Sequence, residues 1–206
     1  MNSFHRFLVD SNTNEVRKGL LGMKNKNKTD NFLHTYTGLC INIVNPKKRE
    51  INIEDIAHAL SNVCRFGGRV NKFYSVAEHS VRVSHLCEKE HALWGLLHDA
   101  SEAYLVDIPR PIKKLDQMSG YMELESMFMN VVCEKFNLDS KMPEIVNMAD
   151  NILLATEKRD LLNQNEVLDK GNDIQPLEKI IKPWSPKKAK RKFLKRFEEL
   201  TKKDKG

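Results

Sequence analysis

From residue 52 onwards, apolar residues recur at helical spacing in successive segments, and helix-starting or helix-breaking residues separate these segments. Asn52 precedes the first segment as a predicted N-cap, and Ser75 with Glu78 forms the capping-box pattern ahead of the second. The segments are NIEDIAHALSNVCRF, SVAEHSVRVSHLCE, EHALWGLLHDASEAYL, GYMELESMFMNVVCEKFNL, MPEIVNMADNILLATEKRDLLN and KPWSPKKAKRKFLKRFEEL. This pattern predicts an all-α fold, a compact helical bundle.

The two ends of the chain differ from this helical part. Residues 1–30 are polar, and we expect them to form a poorly ordered N-terminal extension. The stretch TYTGLCINIVNP alternates in polarity around Gly38 and stops at Pro46, which predicts a small β-hairpin near the N-terminus. Residues 31–206 are therefore predicted to form a single domain that ends in a basic C-terminal helix.

The net charge of +6 comes from one end of the 206-residue chain. Residues 182–206 hold 11 Lys or Arg against 3 acidic residues, so the rest of the chain carries about −2. Apolar residues recur at helical spacing within that basic segment, at Phe193, Leu194, Phe197 and Leu200. We therefore interpret the charges as a solvated helix face, which disfavours nucleic acid as a partner.

The composition also restricts the environment of the protein. No run approaches the roughly 18 to 20 apolar residues that a membrane helix needs, so no membrane partner is expected. The cysteines are far apart and form no CxxC pair: Cys40, Cys64, Cys87 and Cys133. A disulfide framework or a zinc ribbon is not indicated, and we expect a reduced, cytoplasmic protein.

Ionisable residues interrupt the apolar segment LLHDASEAYLVDIPRP, residues 96–111. His98 and Glu102 are four residues apart and Asp99 and Glu102 are three apart, so these side chains share one helix face. Burying such charges without partners is costly, and a metal ion would offset that cost. Further ligands are available from His79, inside the preceding helix, and from Asp150, on an otherwise apolar helix face.

In chain order, His79, the pair His98-Asp99, and Asp150 resemble the ligands of the HD-domain metal-dependent phosphohydrolases. The likeness extends from about residue 34 to about residue 200. Within that family, the chain resembles the branch of the bacterial 5′-deoxynucleotidases and the phage dATP triphosphohydrolases. The segments that carry this resemblance are IEDIAHALSNVCRF, FYSVAEHSV, HALWGLLHDASEAYLVDIPRPIK and LLATEKRDLL. The resemblance implies an HD-domain helical bundle and, for a phage-encoded chain, a place in the host cytoplasm.

The resemblance also implies roles for individual residues. The four ligands would hold one divalent metal ion, with zinc, cobalt, manganese and magnesium all chemically possible. No histidine follows His98, which disfavours the two-metal relatives. Glu102 would be the general acid or base and Asp107 the second catalytic carboxylate. Arg65 would bind the substrate phosphate, and Phe66 would favour deoxyribose over ribose.

Three functions remain open from the sequence. The first is a 5′-deoxynucleotidase, which converts a dNMP to a deoxynucleoside and phosphate. The second is a dNTP triphosphohydrolase, for which Arg110 and Lys113, just past Asp107, could bind the additional phosphates. The third is a non-catalytic HD module that binds a nucleotide or nucleic acid. In each case apolar helices such as YMELESMFMNVV favour a homo-oligomer, a dimer or larger.

Overall fold

The computed structural model describes residues 31–163 and 174–202. The prediction for residues 1–30 lies outside this part of the chain. The described residues form helices and a small antiparallel hairpin, which confirms the predicted mostly helical fold. The α-helices are α1 Ile53–Asn62, α2 Val76–Leu86, α3 Ala92–Leu97, α4 Glu102–Leu105, α5 Arg110–Lys113, α6 Ser119–Phe136, α7 Glu144–Leu161 and α8 Pro186–Thr201. Short 3-10 helices cover Lys48–Glu50, Arg65–Gly68 and Asp116–Met118.

The hairpin pairs β1, Phe32–His34, with β2, Cys40–Asn42, in antiparallel register. Gly38 has a φ of 84°, which suits the turn between the strands. The backbone N–H and the hydroxyl of Thr37 both donate to the carboxylate of Asp55, at 2.7 and 2.9 Å. The hairpin is thereby attached to α1.

Both predicted helix starts are present. The side chain of Asn52 accepts the backbone N–H of Glu54 at 3.0 Å and caps α1. Ser75 accepts the N–H of Glu78 at 3.1 Å and caps α2. The reciprocal half of the capping box is not formed, because the carboxylate of Glu78 binds Arg82 and the backbone N–H of Trp184 instead.

The core lies between α1, α2, α3, α6 and α8. Its fully buried side chains include Ile56, Leu60, Val76, Leu96, Phe128 and Phe193. A second apolar cluster, centred on Tyr74 and Leu153, packs where α7 meets α2 and α3. The burial of Phe193 confirms that the apolar stripe of the basic C-terminal helix faces the protein, which holds α8 against α1 and α2.

The sequence pattern predicts one continuous helix over the segment EHALWGLLHDASEAYL. The structure divides this segment into two helices. α3 ends at Leu97 and α4 begins at Glu102. Between them the backbone makes i→i−3 bonds, from Ala100 N–H to Leu97 O at 2.9 Å and from Glu102 N–H to Asp99 O at 3.0 Å. Residues three apart eclipse in this tighter geometry, so Asp99 and Glu102 still lie on one side.

Within residues 31–163 and 174–202, no helix has the length and apolar character to cross a membrane.

Candidate metal centre

His79 lies at the centre of the site. It projects from the middle of α2 and is 0% exposed. Its Nε2 atom is 3.2 Å from Nε2 of His98, at the end of α3, and 3.2 Å from Oδ1 of Asp150 on α7. Oδ2 of Asp99 is 3.6 Å from the same atom and 3.2 Å from Nε2 of His98. Three helices and the turn after α3 thus bring together the four side chains that the sequence predicts as ligands.

The spacing of these atoms suits a single ion. His79, His98 and Asp150 each offer a ligand atom, and these atoms all lie within 4.8 Å of one another. An ion that holds nitrogen and oxygen ligands at about 2.0–2.2 Å places neighbouring ligands about 2.8–3.6 Å apart. The two 3.2 Å separations fall inside that range. The group formed by His79, His98 and Asp150 could therefore hold a metal ion.

Hydrogen bonds on the far side of each ring orient the two imidazoles. Nδ1 of His98 is 2.8 Å from the carbonyl oxygen of Gly95, so this nitrogen must donate. Nδ1 of His79 is 2.6 Å from the carboxylate of Glu157 and donates to it. In the neutral rings both Nε2 lone pairs then face each other, and a proton or a metal ion between them relieves the repulsion.

The electrostatics of the site also favour a cation. Burial would raise the pKa of Asp99, but His98, His79 and Arg65 hold it well below its usual range. Burial acts the same way on Asp150, whose pKa is held low by His79 and His98. Burial and Arg65 would lower the pKa of His79, yet Glu157 and Asp150 raise it to about 9. The site therefore combines ionised carboxylates with a ring that takes up positive charge.

Glu102, at the start of α4, is 5% exposed, and its Oε2 has no hydrogen-bond partner among the residues that the structure describes. Its Oε1 is 3.4 Å from Nζ of Lys113, which also donates to Glu125. Burial, together with the negative charges of Asp99 and Asp107, raises the pKa of Glu102 well above its ordinary value. Glu102 is thus a carboxyl group that tends to keep its proton beside ionised carboxylates.

Asp107 is half-buried, and burial raises its pKa. It follows Val106, whose φ of 70° and ψ of 150° are strained for a β-branched residue. The carbonyl oxygen of Val106 accepts the hydroxyl of Tyr121 at 2.7 Å, which anchors this backbone turn. The charge of Arg65 lowers the pKa of Asp107 and that of Asp99 raises it, so Asp107 lies within the range of charge interactions with these two residues.

Arg65 begins the 3-10 helix after α1 and is buried. Its Nη1 is 3.3 Å from Oδ2 of Asp99, and its Nε and Nη2 are each 3.2 Å from Oε2 of Glu157. Phe66 is half-buried, with a left-handed φ of 57°, and its ring lies 5.6 Å from the guanidinium carbon of Arg65. Both residues that the resemblance assigns to substrate binding therefore lie at the edge of the histidine and aspartate group.

The two cations after Asp107 are paired with carboxylates. Arg110 donates to Oδ2 of Asp150 and, at 3.1 Å, to the side chain of Asn151. Lys113 lies between Glu102 and Glu125. The structure thus brings both residues to the candidate site, in contact with its acids.

Glu157 belongs to the site although sequence reasoning did not single it out. It is 0% exposed and lies on α7, seven residues after Asp150. Burial would raise its pKa, but Arg65 and His79 hold it below the ordinary value. The one signal in the sequence is the spacing, because residues seven apart on a helix share a face.

The chain resembles two curated proteins. The uncharacterized protein YfdR of Escherichia coli (strain K12) is 40% identical over 177 residues, which cover 82% of this chain and 96% of YfdR. An uncharacterized protein of Rhodobacter capsulatus is 34% identical over 122 residues, covering 55% of this chain and 62% of that protein. No protein-family model matches the chain. The identity and coverage of the first match establish that the chain belongs to the family of YfdR.

Proposed function

We propose that this protein is a metal-dependent phosphohydrolase that acts on deoxynucleotides, as a 5′-deoxynucleotidase of the HD-domain type. One observation supports the proposal above all. The Nε2 atoms of two histidines lie close to two aspartates, and beside them is Glu102, a buried carboxyl group with a raised pKa. The HD-domain resemblance stated above supplies the substrate class.

The proposed ligands are His79, His98, Asp99 and Asp150, and the cofactor is one divalent ion, zinc, cobalt, manganese or magnesium. When bound, such an ion would supply Lewis acidity towards phosphate oxygens. The donor set fits it, because imidazole and carboxylate ligands both suit these ions.

Proton transfer is assigned to the two remaining carboxyl groups. Water attacks the phosphorus atom, the bond from phosphorus to the 5′ oxygen breaks, and the leaving oxygen takes a proton. Glu102 is suited to donate that proton, because burial favours its protonated form. Asp107 accepts the proton that the attacking water loses, in this proposal. Arg65 uses its Nε and one Nη1 N–H group in hydrogen bonds to Glu157 and Asp99, and its remaining N–H groups would bind the phosphate.

The alternative is a dNTP triphosphohydrolase that releases triphosphate. This reaction needs additional positive charge for the longer phosphate chain. Arg110 and Lys113 are the nearest candidates, but each is already paired with carboxylates, Arg110 with Asp150 and Lys113 with Glu102 and Glu125. Their pairing favours the monophosphate substrate. A non-catalytic nucleotide-binding module is the third possibility, and the presence of Glu102 and Asp107 at the site argues against it.

A product-resolved hydrolysis assay tests the proposal. Purified protein is supplied in turn with cobalt, manganese, magnesium and zinc, and is offered dNMPs, dNTPs and ribonucleotides. We expect phosphate from dNMPs, lost in Asp150→Ala, which removes a ligand, and in Glu102→Ala, which spares the ligands. Triphosphate from a dNTP would support the alternative instead. A lack of turnover with every metal, in protein that binds one, would contradict both hydrolase functions and leave the binding module.

The cytoplasmic location and a homo-oligomeric state belong to the same proposal. Light scattering coupled to gel filtration measures the oligomeric state, and we expect a dimer or larger assembly.

A further inference from the structure

Glu157 is a fully buried carboxylate that contacts two groups with different tasks. We propose that it is a positioning residue that sets the orientation of the metal ligand His79 and of the phosphate-binding Arg65 at the same time. This inference rests on the proposed function, since it takes its two partners to be a metal ligand and a phosphate-binding group.

The two oxygens of Glu157 are divided between its partners. Oε1 lies 2.6 Å from Nδ1 of His79, while Oε2 lies 3.2 Å from both Nε and Nη2 of Arg65. His79 and Glu157 are both 0% exposed, so no solvent competes for these bonds. Charge-assisted bonds of this kind are stronger than those between neutral groups, and they hold the ring and the guanidinium in fixed directions.

Only a carboxylate can satisfy both partners, because each of them donates. An amide has one oxygen and one NH2 group. If the amide oxygen faced His79, the NH2 group would oppose the N–H groups of Arg65. If the oxygen faced Arg65, the NH2 group would meet Nδ1 of His79 and favour the tautomer with its hydrogen on Nε2, the atom directed at the metal site.

Arg65 is held from a second side by Asp99, whose Oδ2 is 3.3 Å from its Nη1. The guanidinium has five N–H donors; Nε donates to Glu157 and Nη1 to Asp99, while Nη2 lies within ion-pair distance of Glu157. Without Glu157, the one ion pair of Arg65 that remains among the described residues is that with Asp99. We therefore expect the guanidinium group of Arg65 to lose its fixed orientation when Glu157 is replaced.

The test compares Glu157→Gln with Glu78→Gln in the full chain. Glu78 is the matched control, because it is also a glutamate that is 0% exposed with both oxygens engaged, but by Arg82 and Trp184. It also precedes His79 on the same helix. Calorimetric titration measures the affinity for Mn²⁺, and the rise in melting temperature with sulfate reports binding of a phosphate-like anion to the manganese-loaded protein.

We expect Glu157→Gln to lower the Mn²⁺ affinity about 10- to 100-fold, while Glu78→Gln leaves it within about 2-fold. In an Arg65→Ala background the loss of Mn²⁺ affinity should persist, because it acts through His79. The rise in melting temperature with sulfate should be reduced equally by Arg65→Ala, by Glu157→Gln and by the double variant. The reason is that Glu157 affects anion binding through Arg65.

Equal Mn²⁺ affinities for Glu157→Gln and the wild type would overturn the inference, as would an equal loss in Glu78→Gln. If the wild type binds no Mn²⁺, the proposed metal centre itself fails, and the inference fails with it. Should Glu157→Gln not fold, Glu157→Asp replaces it. That variant keeps the charge but is one methylene too short to reach both partners, so at least one of the two affinities must fall.

Discussion

Nε2 of His79 and Nε2 of His98 lie 3.2 Å apart, and each ring donates its Nδ1 hydrogen to a group behind it. Two neutral imidazoles do not approach in this way through their lone pairs unless a proton or a metal ion lies between them. The positions of Asp99 and Asp150 around the same atoms make the site attractive to a divalent ion.

Glu102→Gln should lower turnover by about 100-fold or more while leaving metal affinity within a few-fold of the wild type. The amide keeps the shape of the side chain but cannot supply a proton to the leaving oxygen. Steady-state kinetics and calorimetry with Mn²⁺ measure the two quantities. Glu123→Gln, an exposed glutamate on α6, is the control and should behave as the wild type. Full activity in Glu102→Gln would exclude Glu102 as the proton donor.

Removing the carboxyl group of Glu102 should also change how stability depends on pH. Its raised pKa means that the folded protein holds this proton more tightly than the unfolded chain, where the ordinary value is 4.5. The resulting stabilisation is fully present below pH 4.5 and is lost as the pH rises through the folded-state pKa. Urea denaturation of the metal-free protein at a series of pH values measures this effect. As the pH rises, the free energy of unfolding should fall less in Glu102→Gln than in the wild type. Parallel curves for the two proteins would refute this assignment.

Arg110→Ala should raise the affinity for divalent ions by about 2- to 5-fold, which corresponds to the free energy of an exposed ion pair. Arg110 binds Oδ2 of Asp150 and places a positive charge beside the proposed metal ligand. Arg159→Ala is the matched control, since Arg159 pairs with Asp160 at the far end of the same helix. Calorimetric titration of both variants with Mn²⁺ decides the matter, and a weaker affinity in Arg110→Ala would contradict the expectation.

Val106→Gly should stabilise the protein by about 0.5–2 kcal/mol, because glycine removes strain of about 1–3 kcal/mol at a cost in unfolded-state entropy. Val106 has a φ of 70° and a ψ of 150°, and its side chain is exposed, so little packing is lost. Val106→Ala keeps the Cβ atom and should bring no gain. Denaturation midpoints measure both variants, and equal midpoints for the two would show that the backbone is not strained there.

The helical part of the fold follows from local signals in the sequence. Apolar periodicity and capping residues such as Asn52 and Ser75 act over one or two turns, and the structure has the helices they predict. The break between α3 and α4 has no such signal, because His98 and Ser101 both keep helical dihedral angles while the backbone bonding changes from i→i−4 to i→i−3. The predicted hairpin is confirmed, but its first strand begins earlier than the pattern indicates, at Phe32.

For the site, the sequence could name residues but not their pairings. His79, His98, Asp99 and Asp150 stand out because ionisable side chains on apolar helix faces need partners. Glu157 is equally buried, but its contacts with Arg65 and His79 span 92 and 78 residues of sequence. Contacts between residues so far apart in the sequence depend on how α7 packs against α2 and against the segment that carries Arg65. No local pattern predicts them. The pairing of Arg110 with Asp150 was missed for the same reason.

The most direct test of this account is the metal content of the protein. Purified wild type, His98→Ala and Asp150→Ala are each loaded with Mn²⁺, freed of excess ion by gel filtration and analysed by mass spectrometry for metal per chain. We predict one ion per chain in the wild type and a large loss in both variants, with folding checked by circular dichroism. A wild type that retains no ion from this or any of the other three metals, or variants that retain a full equivalent, would contradict the assignment of this site as a metal centre.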